Sequence, residues 1–303
     1  MNFKSIIKYF LPPIILVVRN KIFGKFFLRR EYIYDISHLK ISNTHKNKKC
    51  FIFGNGPTLK NDLLLFADEF HNGIIFCVNS FPITPEFEKF KPQYLIFADP
   101  DYSKNFIALK PERSLLVNRL IAVVNWELNI IMPDYFEKDN WFLEAAQSNK
   151  FISLNYINTR SSNAANRFEE YKRGTRCPHL QTVLVKAIFN ALNLGFKELF
   201  LFGVEISMHK DMVVSKTGLV NISENHFYEE QIHIETRPFW KDSSQSETFT
   251  MAEALSAFSM MHRNLEEMES YSNYIGAKIY NCSSTTYVDA FEILDFAKYD
   301  KEV

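Results

Sequence analysis

The 303-residue chain has no excess of either charge, with 35 Lys and Arg against 35 Asp and Glu. A balanced surface offers no global attraction to a polyanion, so nucleic acid is not an expected partner. Cysteine is scarce. The four present, Cys50, Cys77, Cys177 and Cys282, have no CxxC spacing, which argues against a zinc site and against a secreted disulfide scaffold. Three lie in or just after apolar runs, where free cysteine packs as a small hydrophobe, and the compartment this indicates is the reducing cytoplasm. The apolar run Phe10 to Val18 has nine residues and contains Pro12 and Pro13; it is too short to span a bilayer, which needs about 20. Arg19-Asn20-Lys21 follows it, where a secretory signal would place small residues for cleavage. Neither GxGxxG nor GxxxxGKS/T occurs, so neither a dinucleotide nor an ATP site follows from a motif. No internal repeat, low-complexity tract or dividing linker is evident.

The composition that remains is 47% hydrophobic and 23% charged, enough to bury the full core of one large domain or two small ones. The first 48 residues depart from the neutral balance. Met1 to Arg30 holds seven basic residues (Lys4, Lys8, Arg19, Lys21, Lys25, Arg29, Arg30) and no acidic one. Basic residues interleaved with Phe, Ile and Leu suit a peripheral segment attracted to anionic lipid on the inner face of the cytoplasmic membrane. The alternative is a helical arm that packs on the body of the protein.

From residue 49 onward, short apolar runs alternate with turns and helix-like stretches. The runs are Cys50–Phe53, Ile74–Val78, Tyr94–Ala98, Leu120–Val124, Phe151–Leu154, Leu199–Gly203 and Lys278–Cys282. They are apolar on both faces, as strands buried between two helical layers are. Leu180 to Leu194 carries one apolar stripe at 3.6 spacing and ends at Gly195, and Thr248 to Tyr274 reads as a second long helix. Alternating strands and helices predict an α/β fold with a doubly wound, mostly parallel, Rossmann-like sheet over residues 49 to 300. Residues 207 to 246 break the rhythm, being rich in His, Ser, Glu and Lys. A stretch of that length inside a compact domain is functional or disordered, and the expectation is a lid over the site.

In an open parallel sheet, ligands bind beyond the carboxyl ends of the strands. Four such ends carry polar residues: Gly54-Asn55-Gly56-Pro57-Thr58, Asn79-Ser80, Asp99-Pro100-Asp101 and Gly203-Val204-Glu205. Glycines after the first strand let the backbone approach a ligand, and the next helix's free N–H groups suit an anion. Alone, the first turn reads equally well as a structural turn.

Taken together, these stretches resemble the bacterial lipooligosaccharide sialyltransferases. "FGNGPTLK" resembles the family's opening strand-turn, "FCVNSF" its second strand and asparagine, and "YLIFADPD" an aromatic strand ending in Asn-Pro. "TRCPHLQTVLVKAIFNALNLGFKELFLFGVEI" is similar to its Arg-led helix and following strand. "ENHFY" resembles the stretch bearing the catalytic histidine, and "KIYNCSSTTYVDAF" the last strand. The likeness is collinear from about residue 49 to 295. It implies an inverting, metal-independent glycosyltransferase of GT-A-like fold. Such an enzyme needs no cofactor and moves sialic acid, Kdo or a similar sugar from a CMP-sugar to a surface glycan. By the same resemblance Asn55 contacts the donor's ribose or phosphate, with Gly54, Gly56, Pro57 and Thr58 shaping the turn and Asn79 holding nucleotide or sugar. Asp99 stands at the asparagine position, and His226 is the general base toward the acceptor hydroxyl. Arg176 is a phosphate candidate, and Gly203 and Glu205 complete the donor side. Histidine's ordinary pKa suits that proton transfer, and the leaving phosphate needs well-placed donors.

The sequence departs from the family in three ways. Asp99 replaces an asparagine. Ile206-Ser207-Met208-His209 follows Glu205 where the family has paired tyrosines, leaving Tyr228, Arg237 and Lys216 as candidates for the phosphate. An insertion follows His226. His209 and His233 are rival bases. Asp99-Pro100-Asp101 also matches the DxD of metal-dependent glycosyltransferases. Two other classes stay open: a Mg²⁺-dependent enzyme of the pterin pyrophosphokinase-like or motility-accessory type, and a non-catalytic nucleotide-sugar-binding protein. Homo-oligomerisation is open as well.

Overall fold

The computed structural model describes residues 48–99, 102, 111–138, 142–157, 160–179, 182–223, 226–228, 236–241 and 245–302. The basic N-terminal arm, Asp101 and His233 lie outside them. Eight strands form one sheet in which every pairing is parallel: β1 (Cys50–Phe53), β2 (Ile74–Val78), β3 (Tyr94–Ile96), β4 (Leu128–Pro133), β5 (Ile152–Ile157), β6 (Glu198–Phe202), β10 (Lys278–Asn281) and β11 (Glu292–Ile293). Their order across the sheet is β11-β10-β6-β1-β2-β3-β4-β5. The chain therefore steps outward from β1 to β5, returns to place β6 on the other side of β1, and continues outward to β11. The predicted doubly wound, Rossmann-like α/β fold is the fold of the chain.

Strand period decides the layers. In β1, Cys50 and Ile52 enter one core while Phe51 and Phe53 enter the other, because successive side chains leave opposite faces of a strand. Six helices cover the Phe51 face: α1 (Leu59–Leu65), α2 (Ala67–Asn72), α3 (Pro85–Phe90), α4 (Pro111–Val123), α5 (Phe142–Ser148) and, from the far end of the chain, Phe296–Glu302. Much of the abundant phenylalanine goes here. Phe70 meets Phe51, Phe53 and Phe202 with ring centroids 4.8–5.0 Å apart in edge-on geometry, the favoured arrangement for aromatic quadrupoles. The Cys50 face is covered by α6 (Arg167–Lys172), α7 (Val183–Leu194) and α8 (Met251–Tyr274). Helix α7 begins where Thr182 accepts from the Leu184 N–H, and it stops at Gly195, whose φ of 98° is left-handed. Thr250 and Glu253 close a reciprocal capping box at the start of α8. Helix α7 was legible from its apolar stripe and Gly195.

One strand was misplaced. Leu120–Val124 belongs to the end of α4 and the turn after it, where Leu116, Val117, Leu120 and Val124 make a buried helical stripe. The strand between β3 and β5 is Leu128–Pro133. The β-branched Ile121, Val123 and Val124 hid the 3.6 period, and the polar Asn129 masked the buried strand that follows.

The stretch 207–246 is not structureless among its described residues. Three short antiparallel strands, β7 (Val213–Val214), β8 (Val220–Ile222) and β9 (Arg237–Pro238), form a small sheet. Ile222 packs with Phe258 and Met261 of α8. No helix among the described residues is long and apolar enough to cross a membrane.

Candidate functional site

β1 and β6 are neighbours whose onward connections leave for opposite halves of the sheet, which makes their carboxyl ends the topological switch point where open α/β sheets bind ligands. The turns leaving these two strands are locked together. The Gly54 N–H donates to the Phe202 carbonyl at 2.8 Å and the Gly56 N–H to the Gly203 carbonyl at 3.0 Å. A Cβ on Gly54 would lie 2.2 Å from the Gly203 carbonyl oxygen, and one on Gly56 would lie 1.4 Å from Glu205 Oε2. Glycine is required here by close approach. At Gly203 a left-handed φ of 66° adds a second requirement.

Glu205 is the keystone of this contact. Its Oε1 accepts the Thr58 N–H at 2.8 Å, so the amide that opens α1 is held by the protein's own carboxylate. Glu205 is 4% exposed and Asp62, one turn into α1, is 3% exposed. Burial raises the Glu205 carboxyl above its ordinary value, while the Thr58 hydrogen bond lowers it in part. Burial, and then the nearby Glu205 charge, push Asp62 up to about 7. Sequence reasoning missed Asp62, because a helical aspartate after a turn reads as a solvated first-turn residue.

Asn55 joins this turn to the next strand. Its Nδ2 donates to the Val78 carbonyl at 3.2 Å, and its own carbonyl accepts the Phe227 N–H at 3.1 Å. That bond carries His226, half-buried and stacked on Tyr228 with centroids 5.1 Å apart, to the β1 turn. Asn79 ends β2 at a positive φ of 49°, and Ile206 follows Glu205 at 50°. Asparagine tolerates that region, whereas a β-branched residue there is strained on the order of 1–3 kcal/mol. Strain of this kind concentrates at functional sites.

The atoms left over define what the site lacks. Among the described residues, Asn55 Oδ1, Thr58 Oγ1, Asp62 Oδ2, Asn79 Oδ1 and Glu205 Oε2 are buried and have no hydrogen-bond partner. Buried polar atoms are normally paired, and here five orphans lie in the turns after β1, β2 and β6 and the first turn of α1. Four are pure acceptors when the acids are ionised; Thr58 can accept or donate.

The structure thus brings Gly54, Asn55, Gly56, Pro57, Thr58, Asn79, Gly203, Glu205, His226 and Tyr228 to adjoining strand ends. Asp99 stands one strand further out, after β3, where Tyr135 donates to the neighbouring Ala98 carbonyl at 2.9 Å. Arg176 is carried by the segment leading into α7, beside Cys177, whose N–H donates to the Arg160 carbonyl at 3.0 Å. Lys216 lies at the exposed β7–β8 hairpin and Arg237 on exposed β9. A second group missed in the sequence is Lys186 on α7. It is fully buried, its Nζ has no hydrogen-bond partner among the described residues, and burial lowers its pKa to about 8. The apolar stripe of α7 suggested that this position faces water; α8 and the sheet enclose the helix on both sides instead.

All four cysteines are buried and free. No protein-family model and no curated protein matches the chain. Among solved structures, the MAf glycosyltransferase from Magnetospirillum magneticum AMB-1 is similar at 15% identity and a TM-score of 0.42, over 84% of this chain and 34% of that one. The chain spans about a third of that protein's length, and a likeness so slight bears on neither fold nor activity. The class is set by the chain's own geometry: a doubly wound parallel α/β protein with buried, unpartnered polar atoms at its switch point.

Proposed function

We propose that the protein is an inverting glycosyltransferase that uses a CMP-activated sugar such as sialic acid or Kdo and transfers it to a surface glycan. The observation that carries this reading is the group of buried, unpaired polar atoms at the turns after β1, β2 and β6, among which Asn55 Oδ1 and Asn79 Oδ1 are acceptors. Acceptors call for a ligand that brings donors, and the hydroxyls of a ribose and the exocyclic amine of a cytosine are such donors. A phosphate brings only acceptors, and the Thr58 amide, which would otherwise attract it, is occupied by Glu205. Asn55 and Asn79 therefore hold the nucleoside, and the leaving phosphate is directed away from α1, toward Tyr228, Arg237 or Lys216. His226, delivered to the Asn55 carbonyl through Phe227, is the base that takes the acceptor hydroxyl's proton as that oxygen attacks the anomeric carbon and CMP departs. The collinear resemblance to the lipooligosaccharide sialyltransferases supports the same assignments.

Incubation with CMP-Neu5Ac and CMP-Kdo, with and without EDTA, tests the reading. Release of CMP from at least one donor, undiminished by EDTA, is expected; failure to bind or turn over either sinks it. One observation favours a second reading. An oxygen-rich set including Asp62 and Glu205 also suits a hard divalent cation, as a Mg²⁺-dependent nucleotide enzyme would need. Strict Mg²⁺ dependence, with activity lost in Asp99→Asn, would select that class.

A further inference from the structure

The carboxyl end of β6 meets the β1 turn on one side and, on the other, is bonded through Val204 to Ser283 and Thr286. There a cleft of about 1050 Å³ lies between the middle of α8 and residues 286–293. His262, Arg263 and Glu266 stand on the helix wall, and Tyr287 and Asp289 on the other. The cleft is tied to the candidate site through the backbone. The Tyr287 N–H donates to the Glu205 carbonyl at 2.9 Å, and the Thr286 hydroxyl to the Val204 carbonyl at 2.7 Å. The residue that clamps the β1 turn with its side chain thus anchors the cleft wall with its main chain. The His209 ring packs edge-on against Tyr287, with centroids 4.8 Å apart, at the border between the two.

The lining has a definite chemical character. Arg263, Glu266 and Asp289 are exposed and form no ion pair among the described residues, although Arg263 and Glu266 are at the i,i+3 spacing that allows one. One fixed cation and two anions give no net attraction for a polyphosphate or another polyanion. A polyhydroxylated ligand, by contrast, uses charges of both signs. The guanidinium offers a fork of donors, the carboxylates accept from hydroxyls, and the half-exposed Tyr287 ring offers a flat apolar face to C–H groups. The volume is at the upper end of ordinary ligand sites, enough for more than one sugar ring.

We propose that this cleft is the acceptor subsite and binds a neutral oligosaccharide, its hydroxyls held by Arg263, Glu266 and Asp289 and one ring face laid on Tyr287. The proposal rests on the reading of the protein as a glycosyltransferase and adds a place for the glycan, joined to the candidate donor site through the Tyr287 N–H bond to the Glu205 carbonyl.

The test uses the full chain on an array of soluble neutral, sialylated and phosphorylated oligosaccharides, with CMP affinity measured separately by titration. The wild type should bind neutral members in preference to anionic ones. Arg263→Ala and Asp289→Ala should each weaken that binding about tenfold or more, as loss of a charged hydrogen-bonding group does. Ser259→Trp, on the exposed helix wall, should fill the cleft and weaken it further. In every variant the loss for oligosaccharide should exceed the loss for CMP. A wild type that binds no array member, a preference for anionic members, or variants that bind as the wild type does, overturns the proposal. Oligosaccharide bound without CMP would support the cleft and remove the CMP-sugar donor; CMP bound without oligosaccharide would do the reverse.

Discussion

The two sides of β6 treat carboxylates in opposite ways. Toward β1, Glu205 and Asp62 are sealed from water, raised in pKa, and each keeps one oxygen without a partner. Toward β10, Glu266 and Asp289 stand in solvent around an open cleft. The glycines explain the difference. Gly54, Gly56 and Gly203 let two strand ends meet without side chains between them, and the acid that follows β6 is drawn into the contact. No such glycine lies between β6 and β10, where side chains of Thr286 and Ser283 satisfy the Val204 carbonyl and N–H. A tight, dehydrated contact makes each interaction strong and each vacancy costly; an open one leaves the groups free to meet a hydrated ligand.

The contrast can be broken at its closed side first. His226→Ala should lower transfer by roughly 10²–10⁴-fold, the usual contribution of a positioned base, while CMP affinity moves far less. Steady-state rates with the active donor, set beside CMP titration, measure that split. An unchanged rate would pass the role to His209. Next, Gly56→Ala forces a Cβ onto the Glu205 carboxylate and should destabilise the fold by about 1–3 kcal/mol, as overpacking does, with CMP binding lost in parallel. Urea unfolding reads the first and titration the second.

Asp62→Asn sharpens the comparison through pH. A carboxyl raised from its ordinary 3.8 to about 7 favours the folded state while protonated. Its contribution is therefore whole below about pH 4 and is lost as pH rises through about 7. The asparagine variant does not lose it. Its melting point should exceed that of the wild type by a margin that grows from pH 5 to pH 8 and then levels off. A margin that shrinks over the same range would show that Asp62 is ionised and paired in the fold. The smallest effect belongs to charges in water. Lys241 pairs with Glu247 and Glu253 at 2.7 and 2.8 Å, but exposed pairs contribute little. Lys241→Ala should leave the melting point within error of the wild type and blunt only its response to salt.

Much of this was legible in the residues. The runs at 50–53, 74–78, 199–203 and 278–282 became strands of the parallel sheet, and Gly195 marks the end of α7 by local backbone chemistry. Gly54, Asn55, Asn79 and Glu205 stood out because polar residues directly after a buried strand have only its carboxyl end to occupy. Less was legible where context outweighs local pattern. At 120–124 an apolar run with three β-branched residues obscured a helix. β11 and the three strands of the small sheet are two or three residues each, too short for any period. Lys186 and Asp62 carried no sign of burial, since a charged residue reads as solvated until its neighbours are known.

The sequence by itself determined the alternation of buried strands and amphipathic helices, and with it a parallel sheet whose strand ends carry the polar residues, because periodicity and caps act within a few residues of chain. Tertiary structure alone decided that β6 returns beside β1, with Cys50 opposite Leu199. That one pairing brings Glu205 onto Thr58, beside the unpartnered polar atoms of the β1 and β2 turns, and sets the cleft on the other side of the same strand. Burial, desolvation and the pairing of distant strands depend on which segments meet in space.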